Sequence, residues 1–256
     1  MHRPDELREL AESYLAELAL TPELHGQAES VWYALTMGGK RVRPVICLAT
    51  AEAAGAEPEH ALPAAAAVEL VHNFSLVHDD LPALDNDDVR RGNPSVWARH
   101  GEAIAVLAGD ALLAEAFRLA LSYPTPSVAR ELAQATLGMI GGQYLDITGT
   151  APDEATLHRL KTGCLFAASV GLGLWAAEVT EREQASWRAF GDELGLLFQI
   201  VDDILAGDGY VLTHGAQGAR TLADEAAERT HARLEAVPAD TSVLSEIVGG
   251  LAARTS

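Results

Sequence analysis

Apolar residues recur along this chain at helical spacing. Leu7, Leu10, Ala11, Tyr14 and Leu18 form one stripe, as one face of a 3.6-residue helix requires. The stripe ends before Thr21-Pro22, a cap followed by a first helical position. Ala and Leu, both strong helix formers, abound, and no run alternates apolar and polar residues between turn signals, the mark of a half-buried strand. The pattern predicts helices near 4–20, 22–37, 43–55, 59–81, 101–122, 127–149, 153–177, 181–206, 219–236 and 241–253. Thr180 and Glu183 make a T-x-x-E capping box for the eighth. The connections are short, as at Gly38–Lys40, Tyr123–Ser127, Gly149–Asp153 and Gly207–Tyr210, with no Ser/Gly-rich or Pro-rich linker. Segments 101–122 and 162–177 are apolar on most faces and are expected at the centre. One all-α domain over residues 1–256 is the expectation.

Composition narrows the class. Over 256 residues, 48% hydrophobic and 21% charged content suits a soluble globular protein with a sizeable core. A formal charge of -19 argues against nucleic acid as a general partner, because phosphate backbones call for basic surface. The start, MHRPDELREL, lacks the apolar core of a secretory signal. The longest uncharged stretch, Thr162 to Ala177, falls short of the roughly 20 residues that span a bilayer. Cys47 and Cys164 lie far apart in apolar contexts, outside any CxxC pair, and read as buried reduced thiols. A cytoplasmic protein is expected.

Charge is then concentrated where it is least comfortable. His78 to Gly92, HDDLPALDNDDVRRG, holds five aspartates within ten residues, followed by two arginines. Crowded carboxylates repel, so the run is either a solvated loop or the bed of a cation. Asp79 and Asp80 end an apolar helical run. In a straight helix Asp79 and Asp85 would point about 120° apart, so the break at Pro82 is needed to bring them together. Carboxylates completed by water and phosphate oxygens suit Mg²⁺. A second pair, Asp202-Asp203 in FQIVDDILAGD, sits within an apolar helix with no basic residue nearby in sequence, which also calls for a cation. Of the 18 Lys and Arg, five fall in two clusters: Lys40, Arg41 and Arg43 of GGKRVRP at a loop-to-helix junction, and Arg90-Arg91. Carboxylate-held metals and basic side chains around one cavity describe a diphosphate site. Read alone, His72 is a satisfied core histidine, Lys161-Thr162 an exposed helix turn, and His78 structural.

The segments GGKRVRP, VHNFSLVHDDLPALDNDDVRRGNPSVW, AGDALLAEAF, GGQYLD, HRLKTG and FQIVDDIL, in that order, resemble the trans (E)-type prenyl diphosphate synthases, the isoprenoid chain-elongating enzymes, over nearly the whole chain. The first motif has the DDxxxxD form. The resemblance implies a helical bundle around a central cavity and an enzyme that joins isopentenyl diphosphate to an allylic diphosphate. It implies that Asp79, Asp80 and Asp85 bind Mg²⁺ with the allylic diphosphate. Asp202 would hold a further ion, with Asp203 supporting, for three Mg²⁺ in all. Lys40, Arg43 and His72, with Arg91, would bind isopentenyl diphosphate, and Arg90 the allylic diphosphate. Lys161, Thr162 and Gln199 would contact the allylic diphosphate and surround the developing cation, while Gln143 and Asp146 line the same cavity. A homodimer is implied as well.

Phe74 and Ser75, five and four residues before Asp79, would lie about one turn deeper and set product length. An aromatic ring there implies C15 farnesyl diphosphate, with C20 geranylgeranyl diphosphate as the alternative. Two departures stand out. The second motif ends Ile204-Leu205-Ala206 without a third carboxylate, and GDGYVLTHGAQGAR lacks the lysines of the family's loop, with Arg220 and His214 as the basic residues at hand. They keep open a weak subunit that binds and modulates an active synthase. A class I terpene cyclase, which needs no GGKRVRP, and an acidic helical scaffold fit less well.

Overall fold

The computed structural model of the protein describes residues 1–255. Helix α1 (Pro4–Ala16) starts with proline at its first position, where the missing N–H costs nothing, and the Glu6 carboxylate accepts from the Arg3 amide at 2.7 Å. Then follow α2 (Ala28–Thr36), α3 (Val42–Ala53), α4 (Leu62–Asp79), α5 (Val96–His100), α6 (Glu102–Ala120), α7 (Ser127–Thr148) and α8 (Glu154–His158). A π-turn over Arg159–Gly163 leads into α9 (Cys164–Ala176), then α10 (Ala185–Ala206), α11 (Tyr210–Glu235) and α12 (Ser242–Ala252). The all-α bundle surrounds a central cavity. Its core pairs are α4 with α6, α3 with α9, α9 with α7 and α10, and α10 with α11. Helix α9 is buried from Leu165 to Leu174 on almost every side, as its unbroken apolar composition requires.

Several expected elements are subdivided. The helix expected over 22–37 begins with a 3-10 turn at Pro22–Gln27 that is broken at His25, φ 47. The one expected over 153–177 becomes α8, the π-turn and α9. The Thr180–Glu183 capping box forms, with the Thr180 hydroxyl donating to the Glu183 carboxylate at 2.6 Å, but it caps a 3-10 turn that precedes α10. Helix α11 starts at Tyr210 rather than near 219 and bends at Gly215, φ 72. Helix α6 is central on one face only, since Ile104, Val106 and Leu107 are exposed.

A two-strand hairpin, too short for any alternation to register, lies between α4 and α5. Strand β1 (Val89–Arg90) pairs antiparallel with β2 (Asn93–Pro94), Arg90 opposite Asn93. Its turn residues, Arg91 at φ 52 and Gly92 at φ 78, are both left-handed, the geometry of a two-residue I′ turn. Cys47 is fully buried, whereas Cys164 is only half-buried; burial pushes the Cys164 thiol up to about 11. Among the described residues no helix is long and apolar enough to cross a membrane.

Candidate active site

A cavity of about 1130 Å³ opens between α3, α4, α6, α7, the π-turn and α10. Its basic wall is built at the turn before α3. Gly38 and Gly39 have φ 84 and 144, and a Cβ on Gly39 would press on the Arg91 guanidinium at 2.8 Å. Arg41 itself is left-handed, φ 50. Its buried guanidinium donates to Glu69 Oε1 at 2.8 Å and to the Leu35 carbonyl at 2.7 Å. This anchor leaves its neighbours Lys40 and Arg43 on the cavity side. Arg43 lies over the Phe166 ring, 4.3 Å from its centroid, and 5.8 Å from that of Phe198. Burial lowers its pKa to about 10, against the pull of Glu69 and Asp202, so it stays cationic at neutral pH. The hairpin turn closes this wall, with Arg91 donating to the Gly38 carbonyl. His72 faces the same pocket. Burial, reinforced by Arg43 and Arg91, holds its pKa well below the usual value, so the ring is neutral.

The acidic wall is the C-terminal end of α4. Asp79 lines the cavity, and burial raises its pKa to about 6, Lys161 opposing and Asp85 adding to the rise. The chain doubles back after Pro82: the Asp85 amide donates to the Asp79 carbonyl at 2.9 Å and Asp87 to the Asp80 carbonyl at 3.1 Å. The backbone of Asp85 is thereby brought onto Asp79, although its side chain is exposed and off the cavity lining. Asp80 is 1% exposed and turned toward Arg90, whose Nε donates to its two oxygens at 2.9 and 3.2 Å. Burial still raises the Asp80 pKa. Arg90 lines the cavity as well.

Opposite stand α7, the π-turn and α10. A Cβ on Gly142 would fall on the Lys161 backbone, so glycine there lets the π-turn settle against α7. Lys161, Thr162 and Gln143 line the cavity. Gln143 Oε1 is buried without a hydrogen-bond partner, and Lys161 pairs with Asp146, which lies outside the lining. From α10, Asp202 faces the cavity with its pKa raised by burial and by Asp203.

Asp203 and Gln199 do not join it. Gln199 donates to Asp203 Oδ1 at 2.6 Å, and the Tyr210 amide donates to Asp203 Oδ2 at 2.9 Å. That carboxylate fastens the start of α11 instead, beside Glu154 and His158, whose ligand atoms lie with it inside 4.8 Å. The residue four before Asp202, Phe198, shares its face of α10 and lines the cavity. Gln199 and Asp203 lie about 100° further round. Phe198 was legible from that spacing. Glu69, Asp110 and Arg254, which also line the cavity, carried no sequence signal beyond being charged.

The donor set fits a hard divalent cation. Asp79 and Asp202 present carboxylate oxygens from separate helices to one cavity, where burial disfavours their charge, and Mg²⁺ takes such oxygens together with water and phosphate. Basic side chains occupy the remainder. The arrangement can receive two anionic groups, one directly on Lys40, Arg43 and Arg91, the other through cations. Residues 27–218 match the polyprenyl synthetase family. The chain belongs to that family.

This polyprenyl synthetase is 42% identical over 192 residues to a geranylgeranyl diphosphate synthase of Cyanophora paradoxa, covering 69% of this chain and 64% of that one. It is 40% identical over 196 residues to a farnesyl diphosphate synthase of Bacillus subtilis, covering 71% and 66%. The chain spans about 64% of the length of the Cyanophora relative and 56% of a Capsicum annuum one. Among solved structures, a geranyltransferase of Legionella pneumophila superposes with TM-score 0.85 at 31% identity over 98% of this chain and 96% of that one. A geranylgeranyl pyrophosphate synthase superposes with TM-score 0.89 at 25% identity, each chain covered in full.

In this polyprenyl synthetase the basic wall depends on the Arg41–Glu69 pair, 7% and 2% exposed. Removing one partner of a buried pair strands the other charge and costs about 3–5 kcal/mol. Glu69→Ala is therefore expected to lower the urea midpoint sharply, and Glu69→Gln, which keeps an acceptor, to do so less. Equal midpoints for both variants and the native protein would remove Glu69 as the anchor.

Proposed function

We propose that the protein is a Mg²⁺-dependent short-chain trans-prenyl diphosphate synthase that condenses isopentenyl diphosphate with a C5 or C10 allylic diphosphate, ending at C15 farnesyl diphosphate. The observation that carries this reading is a single cavity lined by the basic Lys40, Arg43 and Arg91 and by two carboxylates from separate helices, Asp79 and Asp202. In it, Lys40, Arg43 and Arg91 hold the diphosphate of isopentenyl diphosphate, with neutral His72 as a hydrogen-bonding partner. Asp79 and Asp202 hold Mg²⁺, with Asp80 and Asp85 of the first motif at its edge. When bound, the ions neutralise charge on the departing diphosphate. Lys161, Arg90 and Thr162 orient that group so that the allylic C–O bond breaks toward it.

The allylic carbon that loses oxygen forms the new C–C bond to the terminal alkene carbon of isopentenyl diphosphate. This leaves a tertiary cation on the next carbon, and the methylene beyond it gives a proton to the released diphosphate, its C–H electrons forming the new double bond. Gln143 lines this space and its Oε1 is buried without a hydrogen-bond partner; turned toward the cavity, its carbonyl dipole is a means of stabilising positive charge. The Phe198 side wall helps exclude water. Phe74, which lines the cavity and is 7% exposed, forms with Ser75 the floor that stops the chain at C15.

The test is a product assay with Mg²⁺, isopentenyl diphosphate and, separately, C5, C10 and C15 allylic diphosphates, products being sized by mass spectrometry. Release of C15, with farnesyl diphosphate left unextended, is the expected result. Extension to C20 would favour the second reading, geranylgeranyl diphosphate synthesis, which the names of the Cyanophora and Capsicum relatives support. No elongation, with isopentenyl diphosphate still bound, would favour a modulating subunit.

We further propose a homodimer. Leu137, Ile140, Tyr144 and Ile147 are 69, 46, 64 and 60% exposed and recur on one face of α7, the last three also lining the cavity, and Val106 and Leu107 of the neighbouring α6 are exposed as well. A contiguous apolar surface of this kind marks an interface, and a twofold pairing of identical chains is the commonest way to cover one. Leu137→Arg with Leu107→Arg is expected to halve the mass measured by light scattering. An unchanged mass would exclude this face.

A further inference from the structure

The fold leaves one imidazole next to the acidic wall without a part in the chemistry. His78 lies four residues after Phe74 and one before Asp79 on α4, so it shares a face with Phe74. Its Nε2 stands 3.0 Å from the Val106 carbonyl of α6. A carbonyl only accepts, so this contact needs the proton on Nε2. The ring rests directly on Gly109, where a Cβ would fall among the imidazole atoms. On its other side it meets the Phe74 ring edge-on, centroids 5.0 Å apart and planes at 74°. Helices α4 and α6 pack on one another, and Gly109 admits the ring between them. Both Phe74 and His78 line the cavity, while Val106 and Gly109 stand behind them.

Phe74 therefore does not hold its place alone. A phenyl ring with an open neighbour has staggered alternatives within reach. Here the space it would turn into is filled by an imidazole fixed at its far edge by a hydrogen bond and at its face by a glycine. We propose that His78 is a specificity-determining positioning residue: braced on Gly109 and the Val106 carbonyl, it holds the Phe74 ring across the cavity and so sets the length of the prenyl chain. This rests on the synthase reading above and adds to it a residue outside the metal and diphosphate contacts.

The experiment compares the native enzyme with Phe74→Ala, His78→Ala and the double variant His78→Ala/Gly109→Leu, in which a side chain grown from α6 refills the space behind Phe74. Each is given Mg²⁺, isopentenyl diphosphate and geranyl diphosphate, and the ratio of longer to shorter products is read. His78→Ala is expected to raise that ratio roughly tenfold or more, as opening a pocket by a few methylene groups does, and the double variant to return it toward the native value. A ratio unmoved by His78→Ala, while Phe74→Ala lengthens the product, would overturn the brace and leave the floor intact. If neither substitution moves it, the floor and the brace fall together. Should the native protein elongate no primer, the synthase reading fails, and the brace is judged by fluorine NMR of protein carrying 4-fluorophenylalanine at its five phenylalanines, the Phe74 signal being assigned with Phe74→Leu. A single sharp Phe74 resonance that splits or shifts in His78→Ala supports the brace, and one that does not change overturns it.

Discussion

Asp79→Asn is expected to lower prenyl transfer by roughly 10²–10³-fold, the scale of removing one preorganised electrostatic contact, and at the same time to make the metal-free protein more stable. Both effects have one cause. Burial raises the Asp79 carboxyl from 3.8 to about 6, so its charge is resisted by the folded protein until a cation arrives. Between these two values the folded state binds a proton that the unfolded chain has already released. Stability contributed by this group is therefore lost as pH rises through that window, and above about pH 6 the loss is complete. At 1.36 kcal/mol per unit it amounts to about 2–3 kcal/mol, less whatever solvent screens. Asparagine carries no charge to bury. Thermal unfolding in the presence of a chelator should find the variant and native protein alike near pH 4 and the variant several degrees higher at pH 7. Added Mg²⁺ should close the gap by stabilising only the native protein. A variant less stable than native at pH 7 would show that something other than burial of a charge governs Asp79.

The same balance explains what was legible in the sequence. An apolar helix carrying a carboxylate has few explanations, which is why Asp79 at the end of α4 and Asp202 within α10 stand out from their sequence surroundings alone. Basic residues at the turn into α3 were equally legible, because Lys40 and Arg43 flank Arg41 in a chain otherwise short of cations. Side-chain direction was not. Asp202 and Asp203 are neighbours in sequence, yet about 100° separates them on the helix, enough for one to face the cavity and the other to accept the Tyr210 amide. Gln199 follows Asp203 for the same reason. Asp80 was drawn from the cavity by Arg90, a contact from a hairpin of two-residue strands that no periodicity announces. The early start of α11 was hidden by its glycines, which read as a loop; Asp203 meets the first amide of that helix and supplies the cap its own sequence lacks. Arg254, brought to the cavity by the turn after α12, carries a cation to a site whose expected lysine-rich loop is missing.

Arg43 gives the second large effect, and it separates charge from shape. Its guanidinium lies over Phe166 at 4.3 Å and the residue lines the cavity, where an anion would pair with its charge. Truncating one member of a buried, charge-assisted contact costs about 2–5 kcal/mol. Arg43→Ala is accordingly expected to raise the KM for isopentenyl diphosphate by roughly 10²-fold or more, with a smaller change in kcat. Lysine does not repair this. An ammonium neither stacks on the ring nor offers a planar fork, and it starts from a lower pKa. The site lowers the arginine pKa to about 10; a like displacement would carry a lysine from its usual value of about 10.4 to roughly 8. Arg43→Lys should then bind isopentenyl diphosphate more weakly at every pH and lose further affinity between pH 7 and 9 as the ammonium gives up its proton, a range over which the native arginine stays charged. A pH-independent KM in Arg43→Lys would mean that position 43 is better solvated than its contact with the Phe166 ring implies, and that Lys40 and Arg91 carry the anion without it.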